Sequence, residues 1–252
     1  MDTTGSASEG SGRRSLTVGW FGTSIMEHWE AVNTRMTDQS NLPPVGTGVI
    51  VESWRHRGYP YRLQLALQAA WPDVSIVFDN QAAGGATSRD VLRIAAQAAN
   101  RHYDLAVLSC GLNDVWRTFQ NRTSEAVDIE EFTGNYTAAF THLTSCSSTV
   151  ICLSETPFGP VADSPTVAAM NRELMRYNRI AAREAACAGV LVLDVWDDFT
   201  RAARLLAAGP AGSVDSRLWS DGVHLSDLGD ALVLRQLESF LSRHRIVERL
   251  VE

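Results

Sequence analysis

Five short apolar runs recur along the chain, at residues 16–21, 74–79, 105–109, 150–154 and 190–194. Each is rich in Val, Ile and Leu and bounded by polar or turn-forming residues, the pattern of strands buried on both faces of a parallel sheet. Between them, and after the last, lie longer stretches with apolar residues at helical spacing: 59–70, 87–100, 129–143, 166–188, and one from Ser226 to about Glu248. Five strands alternating with helices predict a doubly wound α/β layer fold. Residues 1–14 are polar and Gly/Ser-rich and predict a disordered head. Neither a repeat nor a linker divides 15–252, so that stretch is expected to form one domain. Residues 34–58, punctuated by Pro43, Pro44, Gly46 and Gly48, read as a long irregular loop and a candidate lid over a pocket.

Composition narrows the function. Of 252 residues 45% are apolar and 20% charged, which are globular values. The net charge of −7 argues against a nucleic-acid binder, which needs a basic face. All 22 bases are arginine, so Schiff-base, pyridoxal-phosphate and P-loop chemistries, which need a lysine amine, are excluded. Cys110, Cys146, Cys152 and Cys187 contain no CxxC pair and read as ordinary core cysteines. The head lacks the apolar core of a secretory signal, and no run approaches the ~18 apolar residues of a spanning helix. A cytoplasmic protein with no membrane partner is expected.

Doubly wound sheets react at the carboxyl ends of their strands, and four segments there carry chemistry. After the first strand, Gly22 allows a sharp turn and Ser24 stands where a helix would begin, near unpaired N–H groups suited to an oxyanion. Thr23 or Ser24 as a plain helix cap is the bland alternative. The next residues, Glu27 and His28, would be rotated away from Ser24 by such a helix. After the second strand, Gly84 and Gly85 let backbone approach a ligand; no G-x-G-x-x-G accompanies them, and a plain turn is the alternative. After the third, Gly111-Leu112-Asn113-Asp114 can aim a neutral amide at an oxyanion, or be only a turn. Near the C-terminus, Asp221 and His224 lie three apart in one loop, so the carboxylate can hold one ring nitrogen's proton and leave the other as a base. A zinc site would need further ligands of suitable spacing, and none is present.

Taken together these segments resemble the GDSL, or SGNH, hydrolase family, whose four blocks contribute Ser, Gly, Asn and His. The matching residues are Ser24, Gly85 (with Gly84 as the fallback), Asn113 and His224, in the family's order, and Asp221 falls at the Asp of its D-x-x-H. Two departures stand out: Gly22-Thr23-Ser24 replaces Gly-Asp-Ser, and Ala82 replaces the first Gly of the second block. The resemblance implies a flavodoxin-like three-layer sandwich around a five-stranded parallel sheet. It also implies ester hydrolysis through an acyl-enzyme on Ser24. His224 would be the base and Asp221 its orienting acid, with an oxyanion hole from Ser24, Gly85 and Asn113. No cofactor or metal is implied, and the expected partner is a small-molecule ester, short-chain or acetyl. Trp116 and Arg117, directly after the Asn113 turn, are candidates to line the entrance and contact substrate. Three other readings remain: an acyltransferase using the same residues, a catalytically silent binding module, and a nucleotide or flavin binder. The oligomeric state is not legible.

Overall fold

The structure is a computed structural model that describes residues 14–38, 47–159, 165–207 and 216–252. The chain opens with β1 (Ser15–Gly22) and a single turn of helix, α1 (Ser24–Glu27). It continues through the strands β2 (Trp29–Asp38) and β3 (Thr47–His56) into α2 (Gly58–Ala70). The regular alternation then begins: β4 (Ser75–Asn80), α3 (Ser88–Ala98), β5 (Tyr103–Ser109), α4 (Leu112–Phe119), α5 (Ile129–Cys146), β6 (Ser147–Leu153), α6 (Pro165–Cys187) and β7 (Leu191–Leu193). Three further helices follow, α7 (Trp196–Leu206), α8 (Asp227–Arg243) and α9 (Ile246–Val251).

The main sheet has five strands in the order β4-β1-β5-β6-β7, all parallel. Numbered along the chain within this sheet, that is 2-1-3-4-5, the flavodoxin-like order. The apolar runs explain it. Leu105, Ala106, Val107 and Leu108 of the central β5 are all 0% exposed, as a strand covered on both faces requires, whereas edge strand β4 leaves Val77 exposed. On one face α2 packs on α8, with α7 and α9 beside it; on the other α5 packs between α3 and α6. The order reverses between β1 and β5, whose ends pair at Gly22 and Ser109. That switch point is where such folds open a crevice.

The structure departs from the sequence reading in four places. The 34–58 segment is not an irregular loop, because β2 and β3 form a two-stranded antiparallel sheet from Trp29↔His56 to Asp38↔Thr47. The Pro43-Pro44 stretch inside it lies outside the described residues. Two helices were not foreseen, α4 and α7. The single C-terminal helix is two, broken at Arg245, whose φ of 48° is left-handed. Cys110, Cys146 and Cys152 are buried, but Cys187 at the end of α6 is exposed and is no core residue. Among the described residues, no helix is long and apolar enough to cross a membrane.

Candidate active site

Ser24 is the first residue of α1, directly beyond the end of β1. Gly22 precedes it because nothing larger fits: a Cβ there would lie 2.6 Å from the Ser109 carbonyl oxygen. Thr23 is the helix cap by position but makes no side-chain cap, and it is buried. The bland reading of this pair as a hydroxyl cap therefore fails, and the Ser24 hydroxyl is directed elsewhere. Its Oγ lies 2.9 Å from His224 Nε2. The other ring nitrogen, Nδ1, lies 2.6 Å from Asp221 Oδ2. Asp221 Oδ1 accepts from the Val223 and His224 N–H groups at 2.9 and 2.8 Å, so the carboxylate is held by the loop that carries the ring. Desolvation raises the Asp221 pKa, but the ring and these two N–H groups outweigh it and hold the carboxyl below its ordinary value.

The Gly-rich segment after β4 runs on beside β1, with Gln81 and Ala83 N–H groups donating to the Trp20 and Gly22 carbonyls. That continuation brings Gly84 to Ser24, since a Cβ on Gly84 would stand 4.0 Å from the Ser24 Cβ. Gly85 follows with φ of 74°, a left-handed conformation that favours glycine. The β5–α4 turn meets the same segment: Asn113 Nδ2 donates to the Ala86 carbonyl at 2.9 Å, and the side chain is 3% exposed. One amide N–H is fixed by that bond and the second remains as a donor. Sequence blocks separated by most of the chain thus converge on Ser24.

Trp116 and Arg117 do not behave alike. Trp116 is half-buried and meets Phe158 edge-on, with ring centroids 6.3 Å apart. Arg117 is turned inward, 8% exposed, and donates to the Gly85 carbonyl at 3.2 Å and to Gln120 Oε1 at 2.8 Å. It lies against the Gly85 backbone. Glu27 Oε2 stands 3.0 Å from where a Gly84 Cβ would be. His28 does turn away from Ser24, placing Nδ1 3.4 Å from Oδ2 of the buried Asp230.

Sequence reasoning missed the groups underneath. Asp114, fully buried, accepts from the Ser88 N–H and hydroxyl and so ties the Asn113 turn to the start of α3. The Tyr136 hydroxyl accepts from the Cys110 N–H at 3.0 Å and donates to the Cys110 carbonyl at 2.8 Å, fixing the end of β5. Glu155, 3% exposed, lies below the same turn. Burial pushes its carboxyl up to about 8; the charge of Asp114 adds to this, while the Leu112 N–H and Ser109 hydroxyl oppose it. Burial likewise takes Asp114 to about 6, against its bonds from Ser88. The Gly-x-Asn-Asp turn contained a signal for Asp114, but nothing local marked Glu155.

Known proteins bear on this site in three ways. Residues 15–232 match the model of the GDSL-like lipase/acylhydrolase family. No curated protein matches the chain. Among solved structures, an acetylxylan esterase from Geobacillus stearothermophilus shares 20% identity at a TM-score of 0.68, over 91% of this chain and 94% of that one. An α/β hydrolase from the metagenome of Lake Arreo, Spain, shares 23% identity at a TM-score of 0.66, over 90% and 94%. These likenesses establish the fold, and the family match spans Ser24, Gly85, Asn113, Asp221 and His224. The chain belongs to the GDSL-like lipase/acylhydrolase family and is a carboxylic-ester hydrolase.

Proposed function

We propose that the chain hydrolyses acetyl and other short-chain esters of a small molecule through an acyl-enzyme on Ser24. The observation that carries this reading is the unbroken relay from Asp221 through His224 to Ser24, with contacts of 2.6 and 2.9 Å. Asp221 holds the proton on Nδ1, which leaves the Nε2 lone pair facing the Ser24 hydroxyl. Attack by Oγ on the ester carbonyl sends the hydroxyl proton to Nε2. The oxyanion is met by the second Asn113 amide N–H and by the Ser24 and Gly85 backbone N–H groups. Collapse expels the alcohol, which takes the proton from Nε2. Water then attacks the acyl-enzyme with His224 again as base and releases the acid. The acyl preference draws on the acetylxylan esterase neighbour. Solved variants of that protein described as catalytic mutants change a serine, an aspartate and a histidine in turn.

The test is intact-protein mass after exposure to a fluorophosphonate, on the wild type and on Ser24→Ala. One adduct per chain on the wild type and none on the variant supports an activated Ser24. Absence of an adduct on the wild type, together with no turnover of p-nitrophenyl acetate, would overturn the reading. Comparing p-nitrophenyl acetate with its butyrate and octanoate analogues then tests the short-chain preference, which fails if octanoate is cleaved fastest.

A further inference from the structure

Beyond the end of β6 the chain leaves the sheet but not the interior: residues 154–159 are all buried. Irregular backbone seldom runs through a core, because each peptide group removed from both water and a ladder needs a partner. Ser154 N–H is taken by the Leu193 carbonyl at 3.0 Å, the last touch of the neighbouring strand. From there two side chains of α6 take over. Asn178 accepts from the Glu155 N–H at 2.9 Å and donates to the Glu155 carbonyl at 3.0 Å. Asn171 does the same for Phe158, at 2.8 and 3.1 Å. The two asparagines are seven residues apart, two helical turns, and so share one face of the helix. Each imitates a strand residue by exchanging both bonds with the N–H and carbonyl of one residue. The effect is to continue the sheet by side chains where no strand remains.

What the strap touches on its other side gives this a purpose. Trp219 Nε1 donates to the Pro157 carbonyl at 2.9 Å, and the Gly159 N–H donates to the Gly222 carbonyl at 2.7 Å. These bonds bracket Asp221 in the loop that also carries His224. The fit is tight, since a Cβ on Gly159 would meet the Trp219 ring at 2.7 Å and Gly222 Cα at 3.0 Å. Toward the oxyanion side, Phe158 packs on Trp116 in the helix that begins at the Asn113 turn, and the Glu155 carboxyl lies below Leu112. One six-residue strap therefore touches both halves of the site, and two asparagines of α6 hold its backbone at Glu155 and Phe158.

The geometry points to Asn171 and Asn178 as positioning residues for ester hydrolysis: through the 154–159 strap they fix the Asp221–His224 loop relative to Ser24 and Asn113. This rests on the proposed triad and adds residues that never meet the substrate. A misplacement of about 1 Å at a reacting group costs on the order of 10²-fold in rate. Asn171→Ala and Asn178→Ala are each expected to lower kcat for p-nitrophenyl acetate by about 10- to 100-fold, with KM changed less than about threefold. The rate of fluorophosphonate labelling of Ser24 should fall in parallel. Both substitutions also weaken the fold, so Leu174→Ala is the control: Leu174 is 0% exposed on the same helix, between the two asparagines. It removes core packing and leaves both clamps in place. A third readout needs no catalysis. The Trp219 indole N–H resonance, assigned by Trp219→Phe, should shift or broaden in the clamp variants and keep its place in Leu174→Ala.

Clamp variants that label at the wild-type rate, or a Leu174→Ala of similar melting temperature that loses as much kcat, would overturn the positioning role and leave the esterase reading standing. A wild type that takes up no fluorophosphonate would remove the esterase reading and this role with it. An unmoved Trp219 resonance in the clamp variants would remove the strap's hold on the triad loop even if turnover fell.

Discussion

The buried pair Asp114 and Glu155 sets the direction of the protein's pH-dependent stability. Both carboxyls lie above their ordinary values in the folded chain, Glu155 at about 8 and Asp114 at about 6. The folded state therefore keeps protons that the unfolded chain releases, and folding weakens as pH rises through that interval. Each such proton is worth about 1.4 kcal/mol per pH unit. From pH 5 to pH 7 the pair together removes on the order of 4 kcal/mol. Asp79, Glu131, Asp221 and Asp227 are shifted the other way. Their contribution is lost only as pH falls below the ordinary carboxylate range, so they do not offset the trend between pH 5 and 8. For a chain of this size 1 kcal/mol moves Tm by about 2–4 °C, so Tm should fall by about 8–16 °C between pH 5 and pH 7. Thermal melts in a pH series measure this directly. Glu155→Gln keeps the shape and an acceptor for the Leu112 N–H while removing the titrating proton, so it should flatten most of the slope and raise Tm at pH 8. A wild-type Tm that is level or rises from pH 5 to 7, or a Glu155→Gln variant with the full slope, would refute the reasoning.

Three further outcomes are expected. Asn113→Ala removes one donor of the proposed oxyanion hole, so kcat on p-nitrophenyl acetate should drop by about 10²–10³ while residual activity stays above that of Ser24→Ala; steady-state kinetics on both variants decide this. Gly85→Ala forces a Cβ into a left-handed position 3.3 Å from the Arg117 guanidinium, so kcat should fall more than KM rises and Tm should drop by a few degrees. Asp230→Ala strips the acceptor from the Tyr59 N–H, bonded at 3.2 Å in the interior, at a cost of about 1–3 kcal/mol; a urea titration should show the midpoint lowered with little change in slope.

The strands were legible because each is a short apolar run with no competing period, and the central one needed no polar face at all. The hairpin of β2 and β3 was not, since the prolines and glycines between and beside its strands read as loop punctuation while its pairing is between residues nine to 27 apart. Helix α4 was hidden by its own beginning: Gly111-Leu112-Asn113-Asp114 is a good turn, and eight residues are too few for periodicity to overrule that. The residues of the proposed triad were readable from local spacing, as Asp221 and His224 share a loop and Ser24 follows a strand. Their supports were not. Asparagines at 171 and 178 look like polar positions on any amphipathic helix, and Glu155 like a charge at a strand end. Only the fold shows that each meets a buried peptide group or carboxyl remote in the chain.

Ser24 and His224 stand 200 residues apart. At about 5–20 residues per second of synthesis, roughly 10–40 s separate their emergence from the ribosome. Throughout that interval Ser24 is without the residue proposed as its base. Hydrolytic power is then among the last properties the growing polypeptide acquires, after β5 and β6 have supplied the amide and the strap. On the proposed mechanism, a chain interrupted anywhere before residue 224 would carry Ser24 without a base and would not act as a stray esterase.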